Sequence, residues 1–133
     1  MLDALTIKHA QGMGGLEFLR ATPEDPSQPV DAFVAVLNRP SLTASVTVTI
    51  CCTEAHDFAA FFDDLARNWN GWAGAKLCDT TIALRFSATH DKLGHITLTA
   101  ELRHDDWLAH GDLIIEAGQL GSIAKEVREF LRL

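Results

Sequence analysis

The stretch Leu42-Thr43-Ala44-Ser45-Val46-Thr47-Val48-Thr49-Ile50-Cys51-Cys52 runs directly into Thr53-Glu54-Ala55-His56-Asp57-Phe58-Ala59-Ala60-Phe61-Phe62-Asp63-Asp64-Leu65-Ala66-Arg67-Asn68-Trp69. Within it the hydrophobic period changes. Leu42, Ala44, Val46, Val48 and Ile50 alternate with Thr43, Ser45, Thr47 and Thr49. Successive side chains of a strand point to opposite sides, so this alternation predicts a strand with one dry and one wet face. Phe58, Phe61, Phe62, Leu65 and Trp69 then recur at helical spacing. Thr53 is a capping residue, Glu54 and Asp57 lie in the first turn, where the helix dipole favours negative charge, and Gly71 ends the segment. A strand followed by an amphipathic helix points to a domain in which helices cover a sheet.

The flanks extend the pattern. Leu5 and Ile7 alternate with Thr6 and Lys8, Leu16 and Phe18 flank Glu17, and Gly12, Gly14 and Gly15 mark a turn between them. Pro23, Pro26 and Pro29, with Glu24 and Asp25, make residues 21–29 an exposed loop, because proline gives no amide hydrogen to a ladder. An apolar run over 30–37 is a further strand, followed by the turn Asn38-Arg39-Pro40-Ser41. Downstream, strands are predicted over 80–89, 95–103 and 107–117, joined by Asp91-Lys92-Leu93-Gly94 and His104-Asp105-Asp106. A last helix starts near Gly118 and aligns Leu120, Ile123, Val127 and Phe130 or Leu131 on one face. No internal repeat is visible. The order ββββ-α-βββ-α predicts a single α+β domain over 1–133. Short connections make the strands antiparallel, giving a two-layer fold of about seven strands with both helices on one face.

Composition limits the function. The chain has 133 residues, 47% hydrophobic and 22% charged, which suits one domain with a sizeable core. Its formal net charge is −7. No nucleic acid is expected as a partner, because phosphate neutralisation by basic residues supplies most of that affinity. No apolar run reaches the roughly 18 residues of a spanning helix, so no membrane is expected either. Met1-Leu2-Asp3-Ala4 has neither the basic nor the apolar region of a secretory signal, and three cysteines, two of them adjacent, do not make a disulfide framework. The expected location is the cytoplasm.

Aligning apolar residues on the core face registers the C-terminal strands. Ala88 pairs with Ile96, Phe86 with Leu98, Leu84 with Ala100 and Ile82 with Leu102. Leu102 then pairs with Ala109, Ala100 with Gly111, Leu98 with Leu113 and Ile96 with Ile115. The other face carries the rows Thr89–His95–Glu116, Ser87–Thr97–Ile114, Arg85–Thr99–Asp112 and Ala83–Glu101–His110. Arg85, His95, Glu101, His110, Asp112 and Glu116 thus share one open surface. A carboxylate beside an imidazole can orient it and raise its pKa, so Glu101–His110 or His95–Glu116 is a candidate acid–base or metal-binding pair. The simpler reading is a solvated face whose opposite charges are paired for stability. His90 and His95 fall on opposite faces, which argues against a shared metal ion.

Other motifs are weaker. Cys51-Cys52 lacks zinc-ligand spacing, and a nucleophilic role for Cys52 rests on the helix start at Thr53 and on His56 one turn on. Gly12, Gly14 and Gly15 are not followed by the Gly-Lys-Ser/Thr of a phosphate loop. In Trp69-Asn70-Gly71-Trp72-Ala73-Gly74, Trp69 is expected in the core, and Trp72 is either core or an exposed binding residue.

This last stretch, together with His90-Asp91-x-x-Gly94-His95, Trp107 and Glu116-Ala117-Gly118-Gln119-Leu120, resembles a family of short bacterial α+β proteins of unknown function. The resemblance is strongest over residues 58–131, and the proline loop is particular to this chain. It implies a bacterial, cytoplasmic, single-domain protein and brings no catalytic residues with it. Some small acidic α+β bacterial domains are immunity proteins that neutralise toxins, an analogy of fold alone.

The residues therefore lead to a non-enzymatic protein-binding module with no cofactor and no metal, and the analogy of fold would make it one of immunity or adaptor type. Its acidic charge suits a basic partner, and Arg85, His95, Glu101, His110, Asp112, Glu116 and Trp72 are the candidate contacts. The alternative is a small-molecule-binding protein or small enzyme using His95, His110, Glu101 and Glu116 of the same face, which a cleft closed by the 21–29 loop would favour. A homodimer through the edge of the first strand, Leu5 to His9, is a third expectation, since only Lys8 blunts that edge.

Overall fold

Alternation sets the strands and the helical period sets the helices. The computed structural model describes residues 2–20 and 30–133; the 21–29 loop lies outside the described residues. The elements are β1 (Ala4–Lys8), β2 (Gly15–Arg20), β3 (Ala32–Arg39), β4 (Leu42–Thr49), α1 (Cys52–Arg67), β5 (Ala75–Cys78), β6 (Leu84–His90), β7 (His95–His104), β8 (Trp107–Glu116) and α2 (Leu120–Leu131). A 3-10 turn, Ala117–Gln119, leads into α2. The α+β class and the antiparallel pairing are as expected.

The sheet is divided. Two four-stranded antiparallel meanders, β1-β2-β3-β4 and β5-β6-β7-β8, replace the single sheet of about seven strands. Each meander ends in a helix, so the chain is built as ββββα twice, although no sequence repeat announces it. Helix α1 separates β4 from β5, which leaves the second set of strands free to turn its apolar face toward that of the first. Phe58 of α1 lies 5.8 Å from Phe18 and 6.0 Å from Phe33 of the first sheet, and 5.7 Å from Phe86 of the second. Phe130 of α2 stands 6.1 Å from Phe18 and 5.6 Å from Phe33. The helices also meet each other, with Arg128 of α2 bonded to Asp63 of α1. Two helices on one face of one sheet are thus replaced by a core in which α1 touches both sheets.

At another point the sheets approach without helical filling. Gly111 of β8 permits this, since a Cβ there would stand 3.3 Å from Leu37 Cδ2 and 3.2 Å from Arg39 Cγ of β3. Nearby, the Ala10 N–H donates to the Ile114 carbonyl at 2.8 Å, and the Ile114 N–H donates to His9 Nδ1 at 2.9 Å. These bonds tie the β1–β2 hairpin to β8.

Three local expectations are corrected. The strand over 80–89 begins only at Leu84, and the short β5 pairs with β6 in the space left to it. Ile82, expected opposite Leu102 on the core face, is 75% exposed in the preceding turn. That turn is fixed by Thr81, whose buried hydroxyl donates to the Leu84 carbonyl at 2.7 Å and accepts the Leu84 N–H at 3.2 Å. Leu84 takes the place opposite Leu102, a register shift of two residues between β6 and β7, whereas the β7–β8 register is as expected. Finally, α1 starts at Cys52 rather than after Thr53 and ends at Arg67 with Asn68 as its cap, which leaves Trp69 beyond the helix.

Candidate functional site

The face of the second sheet that points away from the core carries the polar constellation. A shift of two residues keeps every side chain on its own side, because the side-chain period of a strand is two. Arg85, His95, Glu101, His110, Asp112 and Glu116 therefore share this face, but in new company. The rows are Arg85–Glu101–His110, Ser87–Thr99–Asp112, Thr89–Thr97–Ile114 and the pair His95–Glu116. Arg85 has left Asp112 for Glu101, and Thr89 has left His95.

The hydrogen bonds select among the possible pairs. Thr99 Oγ1 donates to Asp112 Oδ1 at 2.6 Å. Glu101 and His110 are direct cross-strand neighbours, yet the Glu101 carboxylate accepts from Arg103 at 3.3 Å instead. His95 stands between two carboxylates, with Nδ1 3.1 Å from Asp91 and Nε2 3.6 Å from Glu116. Asp91 is also a turn residue: its Oδ1 accepts the N–H groups of His95 at 3.0 Å and Leu93 at 2.6 Å. The His95 and Leu93 amides, assisted by the His95 ring, hold the Asp91 carboxyl below its ordinary range. Beside the Arg85–Glu101 row lies a cleft of about 250 Å³ lined by Leu77, Asp79, Ser87 and Thr99 as well as by those two residues. The Arg85 Nε is buried there without a hydrogen-bond partner among the described residues. Such a face offers charge and hydrogen-bond contacts, with an apolar step at Leu77, which is 72% exposed.

Trp72 does not join this surface. It is buried, and its indole Nε1–H donates to the Ala88 carbonyl at 3.1 Å, which settles between the core and the exposed reading in favour of the core. Trp69, expected inside, is 59% exposed, because the helix stops short of it. Several of the residues that carried the family resemblance form one structural clamp. The His90 ring stands edge-on to Trp72, its Nε2–H donates to the Trp69 carbonyl at 2.8 Å, and its Nδ1 accepts the Lys92 N–H at 2.7 Å. Gly94, with φ 96°, accepts the Ala117 N–H on its carbonyl at 2.9 Å and so joins the hairpin to the approach of α2. Trp72, His90 and the Trp69 backbone thus hold the end of α1 against the β6–β7 hairpin.

Sequence reasoning missed Leu77 and the cleft, because both depend on β5. A four-residue strand with mixed exposure is too short to show a period. The cysteines are all free. Burial pushes the Cys78 thiol up from its ordinary range, which disfavours the thiolate, and no hydrogen bond joins Cys52 to His56 among the described residues. No group of three or more His, Cys, Asp or Glu among the described residues is placed to hold a metal ion. No helix is long and apolar enough to cross a membrane among the described residues.

No curated protein and no solved structure matches this chain. A family model described as a family of unknown function, DUF6228, matches residues 7–133, nearly the whole length. The resemblance read from the tryptophan, histidine and glycine motifs agrees with this match, and the chain belongs to DUF6228.

Proposed function

We propose that the protein is a non-enzymatic protein-binding module of bacterial immunity or adaptor type, and that it presents the outer face of the second sheet to a basic partner protein. The observation that carries this reading is the openness of that face. Its backing is complete, with Leu84, Phe86, Leu98, Ala100 and Leu113 buried behind it, while Glu101, Asp112 and Glu116 stand in register in front. Leu77 and Leu108 add exposed apolar contacts at its two edges. A net charge of −7 over the whole chain speeds encounter with a basic protein, and the effect weakens with salt. The three free cysteines support a reducing, cytoplasmic location.

The test is a pull-down at low and high salt with the wild-type chain and with Glu101→Lys/Asp112→Lys. The wild type should retain a basic protein at low salt and release it at high salt. The double variant should bind at least about tenfold more weakly, as expected when like charges replace complementary ones, with unchanged circular dichroism. Equal retention by both chains would remove this face from the interaction.

The second reading, a small-molecule site or small enzyme using His95, His110, Glu101 and Glu116, is favoured by one observation, the buried Arg85 Nε beside the cleft, which has no hydrogen-bond partner among the described residues. A carboxylate-bearing compound seated there would shift the amide resonances of Ser87 and Thr99 in wild type and not in Arg85→Ala.

A further inference from the structure

The four sheet edges are closed to different degrees. Helix α2 runs beside β1, with Thr6, Lys8, Ser122 and Glu126 lining the groove between them, and the end of β1 is tied to β8 by the His9 and Ala10 bonds. The edge expected to dimerise from the sequence is therefore flanked. Strand β5 has only four residues, and its Lys76 is ion-paired with Asp64 of α1 at 2.9 Å. Strand β8 receives Ala10 at Ile114 and carries His110, Asp112 and Glu116.

Strand β4 lies close to β7 of the second sheet through its inner face, where Val46 and Val48 are buried, but its edge has none of these devices. It runs for eight residues, Leu42-Thr43-Ala44-Ser45-Val46-Thr47-Val48-Thr49, without a charge, a proline or a glycine. Among the described residues its backbone is hydrogen-bonded to β3 and to no other element. A long, uncharged edge with free N–H and C=O groups is a template for another strand, and natural sheets ordinarily blunt such an edge.

We propose that β4 pairs antiparallel with β4 of a second copy, about a two-fold axis through Ser45 perpendicular to the sheet, so that two first sheets become one of eight strands. This axis keeps the outer face of each copy on the same side, so opposite residues must share a face. The Ser45 register sets Thr43 opposite Thr47, Ala44 opposite Val46 and Leu42 opposite Val48. Each pair is then hydroxyl with hydroxyl or apolar with apolar, the matches that stabilise neighbouring strands. Leu42 and Ala44, half-buried where the edge opens, gain apolar neighbours from the second copy. The chain carries a net charge of −7, so two copies repel over most of their surface, and this strand brings no charge to the contact. That self-complementarity selects a second copy over a foreign peptide.

Sedimentation velocity over a range of concentrations tests the pairing. Wild type is expected to dimerise. Thr43→Lys/Thr47→Lys places introduced lysines opposite each other across the axis and should weaken the dimer by at least about tenfold, whereas Thr43→Glu/Thr47→Lys places opposite charges there and should restore it. Both positions are exposed, and circular dichroism checks that the fold is kept. A wild type that stays monomeric at every concentration overturns the proposal, including the case in which a foreign peptide occupies β4. So does a dimer that the two lysines leave intact, or one that the charge-matched variant fails to restore. The contact lies on the first sheet, so its outcome is independent of partner capture by the second.

Discussion

Trp72 and Trp69 lie three positions apart and meet opposite environments. The Trp72 indole is buried, donates to the Ala88 carbonyl and has Lys76 Nζ 5.7 Å from its ring centre. Trp72→Phe leaves that carbonyl without its partner and a void where the larger ring lay. The cost is expected to be about 2 kcal/mol, read as a lower midpoint in urea unfolding. Trp69→Phe touches only an exposed ring, since it is the backbone carbonyl that serves His90, and should stay within about 0.5 kcal/mol of wild type. If the two substitutions cost the same, the assignment of Trp72 to the core is wrong.

The hairpin joining β6 to β7 is stabilised by one carboxylate. Asp91 accepts two backbone N–H groups and contacts the His95 ring, so the fold favours its ionised form. The sign follows from that preference. A carboxyl whose pKa is lowered on folding contributes stability that is present above its unfolded value and is lost as pH falls through the folded one. Wild type should therefore be more stable than Asp91→Ala at neutral pH, and the difference should shrink as the pH is taken below the ordinary carboxylate range. Urea unfolding of both chains at neutral and acidic pH measures it. A difference that persists unchanged in acid would assign the turn's stability to something other than the Asp91 charge. Asp64 follows the same direction through its bond to Lys76, and so links α1 to β5.

At the scale of the whole molecule, Phe58 of α1 is the ring that meets both sheets. It is fully buried and touches Phe18, Phe33, Phe62 and Phe86. Phe58→Ala should cost about 3–5 kcal/mol, a large share of an ordinary domain's stability, and should loosen both sheets in one cooperative transition. Two separate unfolding transitions in the wild type would show instead that the ββββα halves hold themselves up independently.

The class, the strand alternation, the presence of a helix after β4 and the shared polar face were legible because each depends on a local period. Which side a residue takes follows from parity alone, so Arg85, Glu101 and Asp112 reached the right surface even where their partners were misassigned. What parity leaves open is register by multiples of two, and there Thr81 decided, by bonding both backbone groups of Leu84 and turning Ile82 out to solvent. The missing β5, the division into two sheets and the placement of Trp69 and Trp72 have the same origin. They depend on which distant surfaces bury each other, as Phe58 does between Phe33 and Phe86, and contacts at that separation leave no periodic trace in the chain.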